Sequence, residues 1–351
     1  MALPTAWMSL PAVNLPLRVV TREQALAAVH ANFRGSPEEW ARVHRLLCAV
    51  LNACGTATRH IEDAGVTACG ERASVAVARL LDEQGITPGG TAGRSAIDLV
   101  VYGSIAREYF EPATASEIAA LSNLGEPLCY DILAACAGMV MGVQDVLGRF
   151  AVDETLSTAI VATAALSAGR LNDDIQTSED VGLYAAGLTV GNAHTATLIS
   201  RERRVVDGVP LPAGRIVSLY SRTFPQHHGL CTVPVYGKFR SQSAEMFRLS
   251  RYFPEALTET CRRAGWSVQD VDLFVLHQAS DRALAQIATA LKVPTAKVPA
   301  IHGAYGNCES SSAALTLRTL HDRGLIKPGM KLVVGTAAAG FMLALIGVEW
   351  G

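Results

Sequence analysis

Three residues with complementary chemistry lie far apart in the sequence: Cys136, His277 and Asn307. A cysteine thiolate is a nucleophile, and it holds an acyl group that it takes up as a thioester. An imidazole and a side-chain amide can hydrogen-bond an oxygen on which negative charge develops. Cysteine proteases use the same three residue types, so the types alone leave acyl transfer and peptide hydrolysis both open.

Cys136 is predicted to lie at a junction between a strand and a helix. The run LCYDILAA at 128–135 predicts a buried strand, and CAGMVMGVQDVLGRF after it has apolar residues at helical spacing. The N–H groups at a helix N-terminus would stabilise a thiolate there. The small residues on either side, AA before the cysteine and AG after it, are predicted to leave room for a substrate beside the sulfur.

The other two residues also occupy positions at which side chains can be aimed. His277 ends the apolar run VDLFVL within a strand predicted over 271–279, and the carboxyl ends of strands are where α/β folds gather ligands. Asn307 lies between Gly306 and Cys308. The glycine indicates a tight backbone path that points the amide in one direction.

Strands and helices are predicted to alternate along the chain. This alternation predicts strand–helix units around a mostly parallel or mixed sheet. Further strands are predicted over 97–105, 157–166, 187–200, 215–221, 331–337 and 341–350, helices over 38–53, 70–85, 113–124, 244–264, 281–291 and 310–324, and loops over 169–180 and 223–243.

Length and composition limit the possible functions. The 351 residues suit one large α/β unit or two fused similar halves, and half of them are hydrophobic. A net charge of −2 argues against a nucleic-acid partner. The eight cysteines form no CxxC pair and have no histidine at zinc-like spacing, so we expect reduced thiols and no metal. We see no secretory signal and no long apolar run, and therefore expect a cytoplasmic protein without a membrane span.

Several motifs in order resemble the ketosynthase III branch of the thiolase superfamily. They are GTATRHIED at 55–63, DILAACAG, LHQAS, HGAYGN and the tail KPGMKLVVGTAAAGFMLALIGVEW. The resemblance implies an α/β thiolase fold of two similar βαβαβαββ halves, 1–200 with the nucleophile and 201–351 with the histidine and asparagine, stacked as α/β/α/β/α layers. It also implies a homodimer that needs no cofactor.

The resemblance implies a role for each site residue. Cys136 would take an acyl group from a coenzyme A or acyl carrier protein thioester. His277 and Asn307 would hydrogen-bond the oxygen of the second thioester. The backbone N–H of Cys136 and one near Gly340 would form another oxyanion hole, and Arg282 matches a basic position associated with docking of the carrier or of coenzyme A.

One stretch narrows the reaction. SIAREYFEPATA at 104–115 looks like the SxxRDxxEPxTA stretch of enzymes that join two acyl chains head to head, in which the glutamate acts as base in the partner subunit's site. By this match the base is Glu111, and the HQAS and GVEW motifs favour the same subgroup. Two ordinary acyl thioesters cannot form a carbanion by losing carbon dioxide, so a carboxylate must remove an α-proton. We therefore expect a non-decarboxylative Claisen condensation, in secondary metabolism, that gives a β-ketoacyl product.

Three alternatives remain open, and one departure from the family pattern is notable. The alternatives are decarboxylative extension with a malonyl thioester, acyl transfer to an alcohol or amine, and a non-catalytic subunit that shapes a partner's pocket. The departure is NCESSSAAL, which replaces a more usual NTSAAS-like stretch and brings Cys308 and Glu309 close to the predicted site.

Overall fold

The computed structural model describes residues 3–63, 69–89, 96–165 and 168–351. The strands are β1 (Trp7–Ser9), β2 (Ala12–Asn14), β3 (Val19–Thr21), β4 (Thr58–His60), β5 (Leu99–Gly103), β6 (Leu128–Ile132), β7 (Thr158–Ala164), β8 (His194–Ser200), β9 (Val205–Val206), β10 (Val209–Pro210), β11 (Ala213–Thr223), β12 (Cys231–Thr232), β13 (Arg240–Ser241), β14 (Leu273–Leu276), β15 (Lys331–Ala338) and β16 (Met342–Trp350). The helices are α1 (Arg22–Asn32), α2 (Pro37–Cys54), α3 (Cys69–Glu83), α4 (Thr114–Leu121), α5 (Gly138–Val152), α6 (Ser178–Tyr184), α7 (Ser243–Arg248), α8 (Phe253–Arg263), α9 (Asp281–Leu291), α10 (His302–Tyr305) and α11 (Ser312–Asp322).

Most of the longer strands form one mixed sheet made of two half-sheets. Its order is β14-β15-β16-β11-β1-β8-β7-β5-β6, with β2 also paired to β8. Strand β1 is antiparallel to both β8 and β11 and so joins the two halves. Strands β6 and β7 are both parallel to β5, which lies between them, and β15 is parallel to β14. Strands β7 and β8 are antiparallel to each other. This is the mixed sheet that the alternation of elements predicted.

Helices cover both faces of each half-sheet. Val101 of β5 and Val275 of β14 face a central core that also contains Val140 of α5 and Leu317 of α11. The next residues along the same strands face outwards, towards α3 and α4 in one half and towards α8 and α9 in the other. A strand covered on both faces must be apolar throughout, which explains the uninterrupted apolar run LFVL of β14. The predicted α/β/α/β/α order is confirmed.

Helix α5 lies in the middle of these layers. The segment Ala135–Val152 is long and apolar enough to cross a membrane by length and composition alone, a feature that the sequence analysis did not anticipate. Half of this segment is buried inside the protein. A helix packed between two sheets is apolar on more than one face, so packing accounts for its composition.

Several predicted elements differ from the structure. The strand predicted to be buried over 128–135 is the edge strand β6, whose residues are partly buried or exposed. The helix predicted over 244–264 is divided into α7, a 3₁₀ turn and α8, and Pro254 lies in the first turn of α8, where its missing N–H is tolerated. The strand predicted over 187–200 begins only at His194, after a 3₁₀ turn. The predicted loop 223–243 contains the short hairpin of β12 and β13.

Candidate active site

Cys136 lies where the sequence predicted it, between a strand and a helix. Strand β6 ends at Ile132, a 3₁₀ turn spans Ala135–Ala137, and α5 begins at Gly138. The φ of Ala135 is +46°, in the left-handed region that residues with a Cβ rarely adopt. Backbone strain of this kind is concentrated at functional sites, where the surrounding structure must hold it in place.

The resting thiol of Cys136 differs from the prediction. Burial raises its pKa well above the usual value, and the charges of Glu309 and Cys231 raise it further. The backbone N–H groups of Cys136 and Ala339 oppose this rise but do not overcome it. The expectation that the helix N-terminus makes Cys136 a thiolate is therefore wrong for the free enzyme, because desolvation of the sulfur outweighs the helix.

Two backbone N–H groups point towards the sulfur of Cys136. One belongs to Cys136 and the other to Ala339, the residue before Gly340. Gly340 has a φ of +92° and lies in the turn between β15 and β16, a conformation that favours glycine. The N–H that lies near the sulfur belongs to Ala339, directly before Gly340, and the role of this turn as an oxyanion hole stays a prediction.

Gly138, one of the small residues beside Cys136, serves close packing of α5 against β5. A Cβ atom on Gly138 would lie 1.9 Å from the carbonyl oxygen of Gly103, at the end of β5. A Cβ on Gly103 would in turn lie 2.3 Å from the carbonyl oxygen of Gly138. The start of α5 therefore contacts the backbone of β5 directly. The prediction that Gly138 leaves room for substrate is wrong, because that space is filled by the strand.

His277 follows directly after β14 and is buried. Its backbone N–H donates to the carbonyl of Gly335 on β15, at 2.8 Å, which extends the strand pairing to the histidine. Burial lowers the pKa of His277 to about 4, with a further contribution from His302, while the backbone of Glu309 opposes the shift. The imidazole is thus neutral at physiological pH. Its Nδ1 atom has no hydrogen-bond partner within the described parts of the chain.

Two residues that the sequence analysis did not single out hold this region together. The side-chain oxygen of Gln278 accepts hydrogen bonds from the N–H groups of Ile301, at 2.8 Å, and His302, at 3.2 Å. The ring of His302 is hydrogen-bonded to the carbonyl of Gln278, at 2.7 Å, and to the hydroxyl of Thr56, at 2.6 Å. Gln278 therefore ties the strand end that carries His277 to the loop that leads to Asn307. Gln278 is part of the LHQAS motif, which is the sequence signal for this supporting role.

Asn307 is fixed through both its backbone and its side chain. Its N–H donates to Thr189 at 2.8 Å, and its carbonyl accepts from Gly191 at 3.0 Å. Gly306 has a φ of +68°, and a Cβ there would lie 2.3 Å from the oxygen of Thr189, so the glycine is required. Oδ1 of Asn307 accepts a 2.9 Å hydrogen bond from the N–H of Glu309.

The structure brings Cys136, His277 and Asn307 into one region. The 3₁₀ turn Ala135–Ala137 packs against the 3₁₀ turn Glu309–Ser311, which follows Asn307. The backbone of Glu309 also lies beside the His277 ring. The three predicted residues thus reach the site from three separate parts of the chain.

Glu111 does not join this group within its own chain. It lies exposed in the loop between β5 and α4, next to a cis Glu111–Pro112 peptide bond. The carboxylate of Asp131 accepts the N–H groups of Thr114 and Ala115, each at 3.0 Å, at the start of α4. This capping fixes the chain directly after Glu111.

The chain before Glu111 is fixed as well. Arg107 forms an ion pair with Asp131 at 3.5 Å, and the carboxylate of Glu108 accepts the N–H of Cys69 at the start of α3, at 2.9 Å. Both ends of the loop are therefore anchored on the body of the protein. The loop presents Glu111 on the surface of the single chain.

Arg282 is exposed near the start of α9, the helix that follows His277. Its guanidinium lies 4.9 Å from the centre of the Phe247 ring, a cation–π arrangement that leaves a cationic group at the surface. Ser280 caps the same helix through the N–H of Ala283, at 3.1 Å. Arg282 thus stands on a capped helix that begins four residues after His277.

Comparison with known proteins gives one consistent result. Residues 261–350 match the family model for the C-terminal region of 3-oxoacyl-[acyl-carrier-protein] synthase III. The chain is 26% identical over 274 residues to an acyl-CoA:acyl-CoA alkyltransferase of Shewanella oneidensis, covering 72% of this chain and 76% of the relative. It is 27% identical over 253 residues to a β-ketoacyl-[acyl-carrier-protein] synthase III of Lactobacillus delbrueckii, covering 71% and 76%.

A solved structure extends this similarity over the whole fold. A crystal structure of OleA from Xanthomonas campestris superposes with a TM-score of 0.83 at 20% sequence identity, covering 100% of this chain and 99% of that one. The fold, the family model and the curated relatives agree with one another. The chain is thus similar to the ketosynthase III family of acyltransferases, whose C-terminal model residues 261–350 match, and its fold is that of OleA.

Proposed function

We propose that this enzyme joins two acyl thioesters by a non-decarboxylative Claisen condensation through an acyl group on Cys136, giving a β-ketoacyl product. One observation carries the proposal. The chain combines a Cys136, His277 and Asn307 site with the carboxylate of Glu111, which an anchored loop holds at the surface, where it would act in the site of another chain. The relative from Shewanella oneidensis, named acyl-CoA:acyl-CoA alkyltransferase, supports the same reaction.

In the first step the sulfur of Cys136 attacks the carbonyl carbon of one acyl thioester. The new bond is the thioester to Cys136, the bond that breaks is the one to the donor's sulfur, and the proton of the Cys136 thiol ends on the departing thiol. The N–H groups of Cys136 and Ala339, with the turn at Gly340 behind them, stabilise the oxyanion that forms on the way.

In the second step the carboxylate of Glu111 removes an α-proton from one of the two acyl chains. The resulting carbanion attacks the carbonyl carbon of the other thioester, and a thiolate leaves. That thiolate takes the proton back from Glu111, so the carboxylate is regenerated. His277, as a neutral imidazole, and Asn307, as an amide, donate hydrogen bonds to the thioester oxygen that gains charge.

The reaction requires a homodimer, since Glu111 is exposed on its own chain and would act in the site of the partner. Tyr109 and Phe110, directly before it, leave 59% and 77% of their surface exposed. Large apolar side chains in such positions favour burial against another protein surface. We propose that this loop is part of the dimer interface.

The remaining assignments follow from the same proposal. The N-terminal half, residues 1–200, supplies the nucleophile, and the C-terminal half, residues 201–351, supplies the histidine and the asparagine. Arg282 receives the phosphate-bearing carrier, either coenzyme A or acyl carrier protein. We place the enzyme in the cytoplasm, in secondary metabolism.

Intact-protein mass spectrometry tests the proposal. The enzyme is incubated with a panel of acyl-CoA and acyl carrier protein donors, and the acyl mass is expected on the wild type and not on Cys136→Ala. A panel in which no donor acylates Cys136 would overturn the proposal in favour of a non-catalytic subunit.

The choice between the two condensation chemistries depends on Glu111. Glu111→Gln is expected to keep the acyl adduct and to lose condensation of two non-malonyl thioesters by roughly 100-fold or more. Condensation at nearly the full rate would overturn the non-decarboxylative reaction.

The second candidate is decarboxylative extension, which the relative named β-ketoacyl-[acyl-carrier-protein] synthase III favours. Decarboxylative extension predicts a product only when a malonyl thioester is supplied. An ester or amide product would contradict both condensation reactions.

A further inference from the structure

A short segment elsewhere in the chain holds both backbone groups of Asn307. The carbonyl oxygen of Thr189 accepts the N–H of Asn307 at 2.8 Å, and the N–H of Gly191 donates to the carbonyl oxygen of Asn307 at 3.0 Å. Val190, between these two residues, forms an isolated parallel bridge with Asn307. The direction in which the Asn307 amide points therefore depends on where this segment lies.

The chain directly after the segment is fastened to the region of β4. The N–H of Asn192 donates to the carbonyl oxygen of His60, the last residue of β4, at 2.7 Å, and the side-chain oxygen of Asn192 accepts the N–H of Glu62 at 2.8 Å. Nε2 of His194, the first residue of β8, lies 3.1 Å from Oε1 of Glu62. Glu62 thus holds Asn192 through its backbone and His194 through its side chain.

The contact between Glu62 and His194 is a buried hydrogen bond to a charged group. Their side chains are 10% and 3% exposed. The hydrogen bond from His194 lowers the pKa of Glu62 below its usual value, burial opposes this shift, and the charges of His194 and Arg72 lower the pKa further. An ionised carboxylate only accepts hydrogen bonds, so Nε2 of His194 is the donor. Hydrogen bonds to an ionised group are stronger than neutral ones, so the pair fixes the start of β8 and the chain before it.

We propose that Glu62 and His194 are positioning residues, which hold residues 189–194 against Asn307 and so aim the amide of Asn307 for the condensation step. This inference rests on the proposed function, in which Asn307 donates a hydrogen bond to the thioester oxygen that gains charge. The resemblance to the family assigned no role to Glu62 or to His194.

The effect of the pair is expected in one step of the reaction only. In the proposed mechanism, acylation of Cys136 uses the N–H groups of Cys136 and Ala339, which lie in other parts of the chain. Condensation uses Asn307, and a displacement of about 1 Å in a group of this kind can lower a rate by about 100-fold. Loss of the bond between Glu62 and His194 should therefore slow condensation and spare acylation, whereas a general loss of stability would lower both.

The test compares two substitutions of His194. His194→Ala removes the donor, and we expect the condensation rate to fall by roughly 10- to 100-fold while the rate of Cys136 acylation stays as in the wild type. His194→Gln supplies an N–H donor at a reach similar to that of Nε2, and it is expected to restore most of the condensation rate. Mass spectrometry of the intact protein measures the acyl adduct, and chromatography measures the condensed product.

Asp98→Ala is the matched control, because it also removes a side chain that fixes the start of a strand. Oδ2 of Asp98 accepts the N–H groups of Ser157, at 2.8 Å, and Thr158, at 2.9 Å, where β7 begins. This is the amino end of β7, whereas Cys136 follows the carboxyl end of β6, and both strands are parallel to β5. Asp98→Ala is expected to lower stability and to leave the ratio of the acylation and condensation rates unchanged.

A combined substitution tests the link to Asn307. In a protein that already has Asn307→Ala, adding His194→Ala should lower the condensation rate by less than about twofold, because the amide that the pair aims is gone. The full loss in that background would overturn the proposal. So would an equal loss of acylation and condensation in His194→Ala alone, or an unchanged condensation rate in that variant.

Hydrogen exchange provides a measurement that needs no substrate. The N–H groups of Gly191, Asn192 and Asn307 are all hydrogen-bonded, and we expect them to exchange at least about tenfold faster in His194→Ala and at the wild-type rate in Asp98→Ala. Unchanged exchange in His194→Ala would overturn the proposal. A wild-type enzyme that forms no condensed product from any pair of donors would refute the proposed function, and the exchange rates would still decide whether the pair holds Asn307.

Discussion

The backbone N–H of Glu309 donates a 2.9 Å hydrogen bond to the side-chain oxygen of Asn307. An amide side chain has one face that accepts and one that donates, and its surroundings decide which way each points. With the oxygen occupied by Glu309, the NH₂ group of Asn307 is left to donate elsewhere. This orientation is the one that an oxyanion requires.

Replacing Asn307 by aspartate separates the two faces of the amide. Asn307→Asp keeps an acceptor for the N–H of Glu309 and removes the donor, while it adds negative charge beside the oxygen that must become negative. We expect the condensation rate to fall by roughly 100- to 1,000-fold. Acylation of Cys136, for which we propose the N–H groups of Cys136 and Ala339 as the oxyanion hole, is expected to continue. Separate assays of the acyl adduct and of the condensed product measure this, and an equal loss in both steps would contradict the assignment.

The buried His277 predicts how stability depends on pH. Burial lowers its pKa from 6.5 to about 4 in the folded protein, so between these values the unfolded chain binds a proton that the folded protein does not. The free energy of unfolding therefore falls as the pH is lowered from 6.5 towards 4. In His277→Gln this part of the acid sensitivity is expected to disappear.

Urea denaturation at several pH values in that interval measures the effect. The matched control is His228→Gln, which replaces an exposed histidine and is expected to leave the slope of stability against pH as in the wild type. His302 is also buried and its pKa is also lowered, so some acid sensitivity remains after His277 is replaced. A His277→Gln slope identical to that of the wild type would show that the histidine titrates normally in the folded protein.

The contact between Gly138 and Gly103 predicts opposite effects for two alanine substitutions in α5. Gly138→Ala places a Cβ 1.9 Å from the carbonyl oxygen of Gly103, so the start of α5 must move, and Cys136 with it. We expect a loss of about 3 kcal/mol in the free energy of unfolding, together with slower acylation.

Gly148 offers the matched control, because a Cβ there meets no atom within 4 Å. Gly148→Ala is expected to stabilise the protein by about 0.5–1 kcal/mol, since alanine is the better helix residue. Chemical denaturation of both variants is the measurement. Equal stabilities for the two would mean that α5 does not rest on the backbone of β5.

The sequence predicted the elements better than it predicted the electrostatics of the site. Apolar runs such as LVVYG and LFVL are covered on both faces, so their composition alone identified β5 and β14. The thiol of Cys136 was predicted from its local position at a helix start. Its state is set by desolvation and by Glu309 and Cys231, which lie far away in the sequence. Local patterns contain no information about such neighbours.

The supporting residues of the site were missed for a similar reason. Gln278 supports the site through hydrogen bonds to Ile301 and His302, which lie elsewhere in the sequence. The N–H of Ala339 is a backbone group, so any residue type with an N–H would supply it. The motifs LHQAS and GTAAAGF identified these segments. Only the folded chain shows which atom in each segment faces the sulfur or the loop before Asn307.

The exposed position of Glu111 predicts that two inactive variants will complement each other. In a mixed dimer of Glu111→Gln and Cys136→Ala subunits, one site combines the intact Cys136 of the first subunit with the intact Glu111 of the second. Refolding the two together at equal amounts should yield mixed dimers as half of the population, each with one complete site, so that roughly a quarter of the wild-type condensation activity returns. The control is each variant refolded alone, which should stay inactive. If Glu111 acts within its own chain, neither site of the mixed dimer is complete and no activity returns, because the site with the intact cysteine then has the glutamine.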